Sequence, residues 1–371
     1  MNINFIKTDN DLFDTVVRGS FIVELYKITD RSESIVKIIA YDTIRNTTEE
    51  IKKDLLKLDH VRIINASSDN DCFFFASYDL SAPPAVFVNI HKYYLHSHKD
   101  SVIYTFADNF DSLKKQAIRI FILPESNLII QKKNNDRYEL KLYNYESCSS
   151  FDIVEYNLVN NGIDTIILLT DSRLLIKTGF FHSDNESDMQ EKNSTIEGIF
   201  ITTIAKFYAD ISLYKEIIDM ELVYSAFRTE TISVPKISGD HIYFTVINYE
   251  KNSSVCIFYN RLTAEKISYE IPEFSYSDLN SAYVINNTPY VRISNKLRID
   301  FINLKNAEID ISFYNEQFIG QINKIFICSK KSADRYLKRI YALDKLKIIY
   351  EGKIDITHFC CINNDYYIYT I

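Results

Sequence analysis

The stretch from Leu297 to Phe313, LRIDFINLKNAEIDISF, decides how the rest of the chain is read. Leu297, Ile299 and Phe301 alternate with Arg298 and Asp300. A polar break follows, Asn303 to Asn306. Ala307, Ile309, Ile311 and Phe313 then alternate with Glu308, Asp310 and Ser312. Period-two alternation on both sides of a turn marks an antiparallel hairpin with one buried face.

Variants of this hairpin recur along the chain. FIVELYKITDRSESIVKIIAY (21–41), CFFFASYDLSAPPAVFVNI (72–90), YELKLYNYESCSSFDIVEY (138–156) and IILLTDSRLLIKT (166–178) fit it towards the N-terminus. SVCIFYNRLTAEKISYEI and KIFICSKKSADRYLKRIYALDKLKIIYEG fit it beyond residue 241. Two stretches depart from the template. Thr47 with Glu50 forms a capping box, and Ile51, Leu55, Leu56 and Leu58 follow at helical spacing, so a short helix is expected near 48–58. The polar run HSDNESDMQEKNST (182–195) reads as a loop. Between 198 and 225, Ile204, Phe207, Tyr208, Ile211 and Ile218 fit a helical face, but ISLYKEIIDMELVY also fits the hairpin, and strands are expected there.

Superimposing the copies places breaks near Lys27, Asp79, Tyr143, Lys215, Asn260, Asn303 and Asp344, the last four spaced by 45, 43 and 41 residues. Such spacing is close to the roughly 40–50 residues of one propeller blade. VCIFYNRLTAEKISYEI and RIYALDKLKIIYEG resemble the strand–turn–outer-strand units of propeller proteins in general. The Trp-Asp mark of WD40 repeats and the paired glycines of kelch repeats are absent. The expected fold is an all-β propeller of seven blades, with six as the alternative. Residues 1–371 form a single domain in this reading, and the N- and C-terminal strands close the ring.

Composition excludes several functions. Seven glycines stand where average usage near 7% would give about 26. They are widely separated, so no GxGxxG, GxxxxGK or GxSxG loop exists for phosphate cradling or a nucleophile elbow. A net charge of −8 argues against general nucleic-acid binding. No apolar run is long enough to span a membrane, and MNINFIKTDNDLFD has no leader pattern, so a cytoplasmic location is expected. The six cysteines include no CxxC; Cys72, Cys256 and Cys328 sit in apolar runs and read as buried packing.

Candidate chemistry is sparse. His91, His96 and His98 form the densest histidine group, and His96 with His98 could clasp a metal, but a surface turn is the preferred reading. Asp184, Glu186 and Asp188 lack the glycine and glutamate of a calcium loop. His358, Cys360 and Cys361 read as strand packing. No cofactor or metal is expected, and no Ser-His-Asp grouping can be assigned without geometry. The electrostatic exception is 330–347. Lys330, Lys331, Arg335, Lys338, Arg339, Lys345 and Lys347 face only Asp334 and Asp344, a local charge of +5. Such a segment serves either as a solvated strand edge or as a basic face for an acidic partner. The function expected is non-enzymatic binding or scaffolding of a protein or peptide through loops on one face, with Lys330, Lys331, Arg335, Lys338 and Arg339 as the binding candidates. The alternative is a propeller enzyme acting on glycans, a hydrolase or lyase with carboxylates and histidines at a channel mouth.

Overall fold

A computed structural model describes residues 2–8, 12–30, 33–56, 61–65, 71–82, 85–109, 118–134, 137–179, 197–217, 220–227, 229–271, 281–294, 298–314, 316–322, 325–332, 335–342, 347–362 and 365–371, with some strand side chains not described. The loop expected at 182–195 lies outside them. The chain divides into two compact units. The first comprises Met1–Met189, Ile199–Leu222 and His358–Tyr369, and the second Gln190–Gly198, Val223–Thr357 and Thr370–Ile371.

Strand β1 is Ile3–Lys7. A four-stranded sheet follows, β2 (Leu12–Arg18), β3 (Phe21–Asp30), β4 (Glu33–Asp42) and β5 (Thr47–Leu56). After β6 (Val61–Asn65) come β7 (Cys72–Ala82), β8 (Ala85–Tyr94) and β9 (Lys99–Asn109), a three-stranded sheet. The third sheet has β10 (Ile118–Ile122), β11 (Asn127–Asn134), β12 (Arg137–Asn144) and β13 (Ser149–Ile153), with β6 added parallel to β10. Helix α1 (Tyr156–Asn161) leads into β14 (Ile163–Leu168), β15 (Arg173–Thr178) and β16 (Gly198–Thr203). Helix α2 (Ile204–Tyr214) precedes β17 (Glu221–Ser225), which completes the fourth sheet.

In the fifth sheet, β18 (Glu230–Ile232) and β19 (Lys236–Ser238) both pair with β20 (His241–Asn248), followed by β21 (Ser253–Asn260) and β22 (Lys266–Ile271). The sixth is β23 (Ala282–Ile285), β24 (Thr288–Ser294), β25 (Arg298–Asn303) and β26 (Glu308–Tyr314). The seventh is β27 (Glu316–Ile322), β28 (Ile325–Ser332), β29 (Arg335–Ala342) and β30 (Lys347–Gly352). Strands β31 (Ile356–Ile362) and β32 (Asp365–Thr370) then pair with β1 in an eighth sheet.

The blade count is therefore eight, which corrects the expected seven and its alternative of six. Seven breaks correspond to the first seven sheets. The eighth is assembled from both ends of the chain, so no single repeat spacing contains it. Its N-terminal strand is held by the Tyr366 N–H, which donates to the Asn2 carbonyl at 2.9 Å. Asn2 in turn donates through Nδ2 to Asp365 Oδ1 at 3.0 Å.

Two local expectations are overturned. Residues 47–56 form a strand, not a helix. Strand β4 shifts register against β5 between Val36 and Ile38 and again between Ile38 and Ile39. The four-residue spacing of Ile51 and Leu55 in the sequence fits the strand period as well as the helical one, so it does not discriminate between them. Between 198 and 225 the reverse occurs, and Ile204–Tyr214 is helical. The Thr203 side chain accepts from the Lys206 N–H at the helix start, and Ile204, Phe207 and Ile211 bury one face. These residues join Phe121, Leu140, Ile166 and Ile176 in the largest core of the first unit. Helix α1 was not foreseen. It ends on Gly162, whose φ of +69° and closeness to the Tyr138 ring both exclude a Cβ.

The opening hairpin is β25–β26, with Ile299 and Phe301 buried as expected. Ile311 and Phe313 are buried too, but Ile309 is 50% exposed. The register shifts between Phe301 and Ile302, pairing Ile302 with Ile309 and turning it to the other face. Phe301 lies 4.7 Å from Phe326 in an edge-to-face contact and anchors the core of the second unit together with Tyr283 and Phe313. As read from their sequence context, Cys72, Cys256 and Cys328 are fully buried free thiols. Among the described residues no helix is long and apolar enough to cross a membrane.

Polar groups also fasten the sheets of the first unit. Gln131, fully buried, donates to the Ile163 carbonyl at 3.0 Å and accepts from its N–H at 2.6 Å. Asp164 accepts from Arg119 at 2.8 Å and from Lys177 at 2.9 Å. Burial alone would raise the Asp164 pKa, but Lys177 and Arg119 outweigh it and hold the carboxyl below its ordinary value.

Two outcomes are expected. Phe301→Ala should lower unfolding stability by about 3–5 kcal/mol in urea titration, through lost burial and a residual cavity. Asp164→Asn should destabilise the protein near neutral pH. Because the native carboxyl is depressed, its contribution is present above an unfolded value of about 4 and is lost as pH falls through the lower native value. The urea midpoints of the two proteins should therefore converge once the pH falls below the lowered native value.

Candidate functional site

The basic segment found in the sequence is the seventh sheet, and its two faces have different fates. Alternation puts Glu316, Cys328, Arg339 and Tyr341 on one face. There Arg339 Nη1 donates to Glu316 Oε1 at 2.8 Å, and the Tyr341 hydroxyl donates to the same oxygen at 2.6 Å. Arg339 Nε also bonds Glu351. The Glu316 side chain is 3% exposed, and both of these donors converge on its Oε1. Burial would lower the Arg339 pKa, but the bonds to Glu316, Tyr341 and Glu351 prevail and raise it. Burial and the Glu316 bond raise that of Tyr341, and burial pushes the Cys328 thiol up. This face is internal structure: Phe326, Cys328 and Tyr341 pack against Phe301 and Phe313.

On the opposite face, Gln317, Ser329 and Lys338 stand side by side in register across β27, β28 and β29. They line an open cleft of about 430 Å³ together with Phe318, Ile319, Asp355 and Ile356. The register shift between Phe318 and Gly320 skips Ile319, which is 37% exposed at the cleft, while the Phe318 ring packs on Phe326 on the face of Cys328. Behind Phe318 the buried Arg292 guanidinium lies 4.4 Å from the ring centre. Lys338 is half-buried and makes no ion pair with a described residue. The cleft thus combines an apolar wall, a hydroxyl, an amide, one cation and the exposed carboxylate of Asp355.

The five candidates from the sequence separate accordingly. Lys338 lines the cleft, while Arg339 is committed to Glu316 and Glu351. Lys330 is half-buried and lies opposite Glu316 and Leu337 in register. The side chains of Lys331 and Arg335 lie outside the described part of the structure. Gln317, Ser329, Asp355 and Ile356 were not found from sequence. Nothing local marks them, because the register that gathers them is set across three strands.

The histidine group is also resolved. His96 contacts Asp71 at 3.3 Å, and His98 pairs with Glu49. His91 points inward, to Ser77 and Asp100. Among the described residues no group of three histidine, cysteine or acidic side chains is placed to hold a metal ion.

No protein-family model matches this chain, and no curated protein matches it in sequence. Solved structures do match in fold. A prolyl endopeptidase aligns over 90% of this chain at 10% identity, with a TM-score of 0.50. Dipeptidyl peptidase 4 of Porphyromonas gingivalis aligns over 93% at 10% identity, with a TM-score of 0.55. The chain spans only 47% and 55% of the lengths of these two proteins. A Dos1 propeller aligns over 96% of this chain and 89% of its own length, at 7% identity and a TM-score of 0.52. At such identities the likeness shows the fold alone: an all-β propeller of eight blades carrying short helices.

Proposed function

We propose that the protein is a binding module that takes an acidic peptide segment of a partner protein in the cleft beside Lys338. The observation that carries this reading is the division of the basic sheet. Arg339 is neutralised on the packed face, whereas Lys338 stands beside Ile319 and Ile356 at the open cleft. An apolar wall with one ammonium group suits a peptide bearing an aliphatic or aromatic residue next to Asp or Glu. Asp355, at the rim, disfavours long anionic stretches, so a short acidic motif fits better than a polyanion. The overall negative charge of the chain points the same way.

The test is fluorescence anisotropy with dye-labelled peptides of matched length, one alternating Leu with Glu and one alternating Leu with Lys. The Leu-Glu peptide should bind more tightly, with affinity falling as salt rises. Lys338→Glu should weaken it about tenfold or more, which corresponds to about 1.4 kcal/mol. Equal binding of both peptides, or unchanged affinity in Lys338→Glu, would retire the proposal. Arg339 is unsuitable for this test, since removing it leaves the buried Glu316 carboxylate without its main partner.

A further inference from the structure

The second sheet contains an arrangement that the binding proposal does not use. The Ser77 hydroxyl lies 2.7 Å from His91 Nε2, and His91 Nδ1 lies 2.9 Å from Asp100 Oδ1 and 3.1 Å from Oδ2. The three residues come from β7, β8 and β9. Each contact is a diagonal between adjacent strands, because Ser77 pairs with Asn89 and Asp100 pairs with Tyr93. An Asp100 carboxylate can only accept, so it places the imidazole proton on Nδ1. Nε2 of the neutral ring is then an acceptor, and Ser77 must donate to it. The Phe75 ring stacks on His91 at 4.6 Å and 4°, and His91 is 6% exposed, so the ring cannot turn freely. Ser77 itself is half-buried.

Two further features belong to the same face. Asn89 stands directly opposite Ser77, a pairing in which Cβ atoms are about 4.5–5.5 Å apart. Thr105 donates to the Asn89 carbonyl oxygen at 2.8 Å, which fixes the amide and leaves its N–H donors for an incoming oxygen. Phe87 and Val102, 37% and 54% exposed, provide apolar surface on that face. The face exists because of a bulge. The β8–β9 pairing passes from Ile90–Tyr104 to His91–Val102, skipping Ile103. Without that skip, Thr105 and Asp100 would point to opposite faces. With it, both join Ser77, Asn89 and His91.

We propose that Ser77, His91, Asp100 and Asn89 form an acyl-ester hydrolysis site, separate from the Lys338 cleft. Ser77 Oγ attacks the ester carbonyl carbon while its proton passes to His91 Nε2. Asn89 Nδ2 donates to the developing oxyanion. The carbonyl re-forms, the bond to the leaving alkoxide breaks, and His91 returns the proton to that oxygen. Solvent water then repeats the sequence on the acyl-serine, releasing the carboxylic acid and restoring the Ser77 hydroxyl. Asp100 is a positioning residue that holds the tautomer. The exposed Phe87 and Val102 favour a small apolar acyl group.

The test uses the intact chain with a fluorophosphonate probe and with p-nitrophenyl butyrate, followed by peptide mapping of the adduct. Labelling at Ser77 is expected, with loss in Ser77→Ala and roughly 100-fold slowing in His91→Gln. Asp100→Asn, at a site more than a third exposed and so least prone to misfolding, should slow labelling and change its pH profile, which a merely structural role would not do. Circular dichroism of each variant reports whether the fold is retained. No adduct on Ser77, an adduct on another serine, equal labelling of heat-denatured protein, or an unchanged rate in folded Asp100→Asn would each overturn the assignment.

Discussion

A strand shows its side chains to alternate faces, and a sheet packed against its neighbours cannot tolerate a slip of one residue. That constraint organises this protein more than any single contact. In β10 all five residues are buried. Ile118, Ile120 and Ile122 pack with Val86, Val88 and Ile90 of the preceding sheet, while Phe121 turns to the opposite core with Leu140 and Ile163. Each face of such a strand has its own core, and register decides which residue enters which. Aromatic residues replace the missing tryptophan: Phe301, Phe313, Phe326 and Tyr341 form a continuous set of ring contacts in the second unit.

Register shifts are the places where that constraint is used rather than merely obeyed. One turns Ile309 outward from a hairpin that alternates without a flaw in sequence. Another, between Phe318 and Gly320, shapes the wall of the Lys338 cleft. A third, at Ile90 and His91, brings Asp100 and Thr105 to the face of Ser77. Both sites proposed for this chain thus sit beside a bulge, where the strand departs from its own period.

This also explains what was legible in the sequence. Strand periodicity, the repeat, the buried cysteines and the basic sheet could all be read, because each depends on residues near one another along the chain. The helix wrongly expected at 48–58 and the strands wrongly expected at 204–214 came from runs whose apolar spacing fits both periods. In the first case the four-residue spacing of Ile51 and Leu55 suits a strand equally well, and in the second a Thr203 cap and a buried Phe207–Ile211 face decided for helix. The eighth blade was hidden because its strands come from opposite ends of the chain. Partners across strands were hidden for the same reason. No spacing joins Ser77 to His91 and Asp100, or Lys338 to Asp355, until register is known.

The most direct measurement is nitrogen NMR of the His91 side chain in the folded protein, at a pH where the ring is neutral. The expected result is a proton on Nδ1 and an unprotonated, hydrogen-bond-accepting Nε2, with the preference lost in Asp100→Asn. That result requires Asp100 to share the face of His91, which only the skipped residue Ile103 allows. A ring protonated on Nε2, or one that exchanges between tautomers, would contradict both the register described here and the role given to Ser77.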